Sequence, residues 1–192
     1  MIAWPWPAPQ DDGATAHLQR GLAMPDIELV TTSGRKLSLA RLSGRTVVFA
    51  YTWTGRPGVP NPPDWDVIAG AHGSTPEAEG FRNLHSAFVG LDTAVLGLST
   101  QSTAWQRELV DRLGLTFEIV SDDQLALARA LSLPTFRTGG ETYLKRSTLV
   151  ILDGVLESVF YPVHPPDAHA RDVLAWLTDH VGYALESRIN PG

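Results

Sequence analysis

The run RTVVFAY at residues 45–51 limits the fold more than any other stretch of the chain. From Val47 to Tyr51 no residue offers a polar face to water, so a strand built from it must be covered on both sides. A second run of the same kind, TAVLGLST, follows at 93–100. Between them the spacing predicts a helix from Thr75 to Phe88, with Phe81, Leu84 and Phe88 on one face. A covered strand, a crossover helix and a second covered strand make a parallel pair within an α/β sheet.

The rest of the chain extends this unit. DIELVTTSGRKLSL (26–39) reads as two short strands about Ser33-Gly34, a turn signal. QSTAWQRELVDRLG (101–114) is an amphipathic helix stopped by Gly114, TFEIVSD (116–122) is a strand, and DQLALARALSL (123–133) is helical. STLVILDG and VLESVFY form a hairpin about Asp153-Gly154, and a last helix follows with Asp167 as its cap. Hairpin, strand, helix, strand, helix, strand, helix, hairpin, helix is the order of an α/β, thioredoxin-like fold: a central mixed β-sheet flanked by helices, with an N-terminal β-hairpin extension. Residues 1–20, rich in proline and alanine, are expected to form an arm rather than core. Residues 21–180 form the domain and 181–192 a tail.

The 192 residues are 43% hydrophobic and 19% charged, which suits one globular domain and not a disordered chain. A net charge of −6 without a basic cluster argues against nucleic acid as a partner. No apolar run is long enough for a membrane span, and the first twenty residues lack the pattern of a secretory leader, so a cytoplasmic location is expected. Cysteine is absent altogether. That excludes disulfides, thiolate nucleophiles and thiolate-bound metal. The histidines His72, His85, His164 and His169 show no metal-ligand spacing, so neither metal nor cofactor is expected.

Two segments draw attention as chemistry. The long loop TWTGRPGVPNPPDWDVIAGAHG is stiffened by four prolines and opens onto GSTPEAEGFRN, where the predicted helix starts. Ser74 and Glu77 have capping-box spacing there.

In this order, GLAMPDIELVTTSGRKLSLARLSGRTVVFAY, GSTPEAEGFRN, VLGLSTQS, SDDQLALARAL and LKRSTLVILDG resemble the peroxiredoxins, specifically the bacterioferritin-comigratory or Q type. The resemblance covers roughly residues 21–178. It implies a peroxidatic cysteine in the first turn of the helix, held as thiolate by the helix N-terminus and a nearby arginine. Here that position is Ser74, and Glu79 stands where a second cysteine is often found. By the same resemblance Arg146 matches the polarising arginine, and Thr54 supplies the hydroxyl that orients peroxide. Thr52 replaces an expected proline and Ala71 an expected threonine.

A serine cannot replace the thiol, because oxygen does not pass through a sulfenic state. The chain as written is therefore a peroxiredoxin-family protein without thiol redox activity. Two other readings stay open. One is a cofactor-free enzyme or small-molecule-binding protein of a specialised biosynthetic pathway that reuses the peroxide pocket; the other is an engineered serine form of an active hydroperoxide reductase. The expected partner is a small organic or hydroperoxide-like ligand, and the resemblance adds a homodimer as one assembly. Ser74, Arg146 and Thr54 are the candidate catalytic residues, and Tyr51, Trp53, His72 and Thr75 the candidate substrate-binding ones. Trp53, Trp65 and Tyr51 offer an aromatic wall or simply pack the loop. His72 is the one local base for a serine nucleophile.

Overall fold

Arg45–Ala50 lies at the centre of a mixed sheet, with Thr93–Ser99 parallel on one side and Ser147–Leu152 antiparallel on the other. The computed structural model describes residues 4–189, with side chains described as far as residue 180. In chain order the strands are β1 (Leu29–Thr31), β2 (Lys36–Leu37), β3 (Arg45–Ala50), β4 (Thr93–Ser99), β5 (Ile119–Ser121), β6 (Thr135–Thr138), β7 (Glu141–Leu144), β8 (Ser147–Leu152) and β9 (Val155–Phe160). The helices are α1 (Ser74–Gly90), α2 (Thr103–Leu113), α3 (Ala126–Ala130) and α4 (His169–Ile189). Seven strands form one sheet in the order β2-β1-β5-β4-β3-β8-β9, with β6 and β7 a separate hairpin.

Residues on β3 alternate between the two faces, and each face has its own core. Val48 and Ala50 pack with Leu18, Leu39, Leu98 and Leu149 on one side. Val47, Phe49 and Tyr51 pack with Phe81, Phe88, Val173 and Leu177 on the other, under α1 and α4. Phe49 stacks on Phe81 with ring centroids 4.3 Å apart; fully burying one such ring contributes about 1.5–3 kcal/mol. Leu18 corrects the expectation that residues 1–20 stay out of the core, since it is 6% exposed inside the first cluster. Helix α2 has the predicted stop, Gly114 at φ 58°, and Ser102 accepts from the Trp105 amide at its start. Helix α4 begins two residues beyond Asp167, the expected cap.

The sheet has one short edge. β2 has two residues. On the far edge, the segment before β1 lies along the start of β9: Gly21 donates to Leu156 O, the Leu156 amide to Leu22 O, and Met24 to Gly154 O. Among the described residues no helix is long and apolar enough to cross a membrane.

Candidate functional site

Three neighbouring chain segments converge at the C-terminal end of β3. Ala50 pairs with Ser147, so Arg146 enters β8 beside Tyr51 and Thr52 as they leave β3. Helix α1 starts above them. Its N-cap is Gly73 at φ 110°, with no side-chain cap. The predicted capping box is therefore absent. Glycine takes the left-handed conformation without a Cβ penalty, which frees Ser74 and Glu77 to turn inward.

Ser74, 2% exposed, lies 3.0 Å from the Thr52 hydroxyl and accepts from Arg146 Nη2 at 3.2 Å. Thr52 donates to the Ala71 carbonyl at 2.7 Å. Because a carbonyl only accepts, the single Thr52 proton is committed there, and Ser74 must donate to Thr52. Arg146 Nη1 pairs with the fully buried Glu77 carboxylate, while Nη2 also donates to the His72 carbonyl at 3.1 Å. Burial pushes the Glu77 carboxyl above the usual carboxylate range, against the pull of the Arg146 charge and hydrogen bond. The guanidinium thus holds together the first turn of α1, the loop before it and the start of β8.

Two of the expected site residues, Thr54 and Tyr51, lie apart from this cluster. Thr54 is a correction: its amide and hydroxyl both donate to Gln101 Oε1, at 3.0 and 3.1 Å, and the hydroxyl facing Ser74 is that of Thr52. Tyr51 is a second correction, since it is fully buried among the core side chains beneath α1 and does not line the cavity at Ser74. Burial raises its phenol above the ordinary range. Trp53 meets Trp65 edge-on at 5.5 Å and packs in a small cluster with Ala71 and Tyr143. His72 bonds Asp66 through Nε2 at 2.8 Å. The Ser74 hydroxyl is thus bonded to Thr52 and Arg146, with no base beside it to make it a nucleophile. Among the described residues no three histidine, aspartate or glutamate side chains gather to hold a metal ion.

A cavity of about 320 Å³ opens at Ser74 and Thr75, bounded by Trp4, Trp6, Trp53 and Trp65. Trp4 and Trp6 were not among the residues expected here. The signal was present in WPWP, two large aromatics on a stiff, turn-free segment, but nothing in the sequence says which surface such a segment covers. A larger cavity of about 500 Å³ lies on the other side of Trp53, between Trp105, Gln101 and Tyr143.

Comparison with known proteins agrees with this fold. The chain is 25% identical over 177 residues to Peroxiredoxin Bcp of Bacillus subtilis, covering 88% of this chain and 94% of that one. It is 25% identical over 162 residues to the chloroplastic Peroxiredoxin Q of Oryza sativa, covering 83% and 67%. Among solved structures it resembles peroxidoxin BcpB of Mycobacterium tuberculosis, with TM-score 0.68 and 26% identity over 85% of this chain and 98% of that one. The bacterioferritin comigratory protein of Xanthomonas campestris, studied for alkyl peroxide reduction, gives TM-score 0.67 and 25% identity over 85% and 99%. The Redoxin family profile matches residues 19–174. A thioredoxin-like sheet, a buried arginine at the first turn of the crossover helix and a match over most of its length place this chain, cysteine-free as it is, in the Redoxin family.

Proposed function

We propose that this protein binds a small oxygen-bearing organic molecule, an alcohol or a hydroperoxide-like compound, at Ser74 without reducing it. The observation that carries this reading is the Ser74 hydroxyl, fixed between Thr52 at 3.0 Å and Arg146 at 3.2 Å on the floor of an open cavity. A thiol at this position would be drawn toward thiolate by the guanidinium and attack a peroxide oxygen. The serine oxygen keeps the polar contacts and has no sulfenic state to enter. What remains is recognition. Thr75 adds a second hydroxyl at the cavity, and Trp53 a wall of it. A place in a specialised biosynthetic pathway suits such a protein better than peroxide defence, because no residue can cycle with a thiol donor. A homodimer belongs to the same reading by family resemblance.

The test has two arms. With dithiothreitol as reductant, the wild-type protein should consume no cumene hydroperoxide, measured as residual peroxide over time. In nuclear magnetic resonance titrations, cumene hydroperoxide and its alcohol should both shift the amides of Gly73, Ser74 and Thr75. Ser74→Val should weaken this at least tenfold. Peroxide turnover by the wild-type protein, or amides at 73–75 that ignore both compounds, would overturn the reading.

A further inference from the structure

Residues 4–12 run across the mouth of the Ser74 cavity and lie outside the 19–174 stretch matched by the Redoxin profile. They are fastened there at several points. The Gly70 amide donates to Pro7 O at 3.1 Å. The Trp6 ring stacks on His72, with centroids 3.7 Å apart and planes 10° from parallel. Trp4 lies over Gly73, where any side chain would collide with it. Asp12 accepts from Lys145 at 2.6 Å and from the Tyr161 hydroxyl at 2.7 Å. This strap brings two indoles to a cavity that already has Trp53 and Trp65, and the result is a box with four tryptophans around the Ser74 and Thr75 hydroxyls.

The lining sets the chemistry of the occupant. No aspartate, glutamate, lysine or arginine borders the cavity; His72 does, but its Nε2 is bonded to Asp66, and the Arg146 charge behind Ser74 is met by Glu77. A charged ligand would lose its water without gaining a counter-ion. Four indoles favour a flat ring, by stacked and edge-to-face contact. At about 320 Å³ the cavity is near the lower end of small-molecule sites, so the ligand is small. The hydrogen-bond direction adds one more constraint. Ser74 has given its proton to Thr52 and accepts one bond from Arg146, so it offers a ligand only its remaining lone pair. A ligand that bonds Ser74 must therefore bring the proton.

We infer that the strap makes this cavity a site for a neutral, flat aromatic alcohol or N–H heteroaromatic whose O–H or N–H donates to Ser74 while its ring lies against the tryptophans. The inference rests on the reading that Ser74 is a binding group and adds the ligand class. The probe is 2-naphthol, followed by tryptophan fluorescence and by the amides of Gly73–Thr75. It is compared with decahydro-2-naphthol, which lacks the aromatic faces, and with 2-methoxynaphthalene, which lacks the proton. Both should bind at least tenfold more weakly than 2-naphthol. Trp4→Ala with Trp6→Ala should weaken 2-naphthol at least tenfold and decahydro-2-naphthol by much less, and Trp4→Phe with Trp6→Phe should restore most of the loss. Both tryptophans are outside the two core clusters, and circular dichroism checks that the variants keep the fold. If naphthol and its saturated form shift 73–75 equally, or naphthol ignores loss of both strap tryptophans, the aromatic inference fails while Ser74 stays a binding group. If the amides at 73–75 respond to none of the probes, the underlying reading fails and the inference with it.

Discussion

Arg146 and Glu77 are each nearly or wholly out of contact with water, and their attraction has to offset the loss of hydration of both. Removing one partner leaves the other charge buried without compensation. Arg146→Ala should therefore cost about 3–5 kcal/mol in urea unfolding, whereas Arg146→Met with Glu77→Leu should recover most of that loss. Recovery by the double variant would show that the pair is kept for what it positions, the Ser74 hydroxyl, and not for stability. Equal instability of the double and single variants would contradict this. At this scale the sequence was legible through the family resemblance: it marks Ser74 in GSTPEAEGFRN and Arg146 in LKRSTLVILDG, and the two meet as expected. Spacing misled at Glu77, because S-x-x-E describes a capping box and an inward-facing pair equally well. The resemblance misled at Thr54: two threonines stand two residues apart, and it is Thr52 that bonds Ser74 while Thr54 bonds Gln101.

The N-terminus of α1 owes its shape to one missing side chain. At Gly73 a Cβ would run into Pro166 and come within 2.8 Å of Trp4, on a backbone at φ 110° that other residues rarely adopt. Gly73→Ala should destabilise the protein by at least about 1 kcal/mol and lift the strap from α1. Tryptophan emission should shift to the red as Trp4 and Trp6 meet water; unchanged emission and melting temperature would show that the strap can yield elsewhere. Most elements could be read because their hydrophobic period is local: β3, β4, α1 and the β8–β9 hairpin fall where the pattern put them. The β6–β7 hairpin is not among the expected elements, although Gly139-Gly140 between TFRT and ETYL is a hairpin signal. Its strands are short and half-exposed, so their alternation is faint. The strap was illegible for a different reason. It has no period, and its place is set by contacts with Gly70, His72 and Lys145, far away in the chain.

For the whole molecule, the pH dependence of stability should carry the mark of one buried imidazole. His169 is 3% exposed between the sheet and α1, bonded to the Thr148 hydroxyl at 2.7 Å. Burial, helped by the Arg146 charge, lowers its pKa from 6.5 to about 3. Between those values the unfolded chain binds the proton and the native one does not, so this contribution is complete above pH 6.5 and is lost as pH falls toward 3. Glu77 works in the opposite sense, its raised pKa favouring the fold at lower pH. A comparison isolates the histidine: from about pH 5 to about pH 6.5 the wild-type protein should gain about 2 kcal/mol more stability than His169→Gln. Parallel curves in urea titrations would contradict it. The architecture of the sheet itself reaches beyond the single chain. With β2 two residues long and β9 overlaid at its start by Gly21–Met24, neither margin presents a long row of free amides and carbonyls. A second copy therefore meets no long open strand at either margin, and strand-to-strand pairing of two sheets is disfavoured.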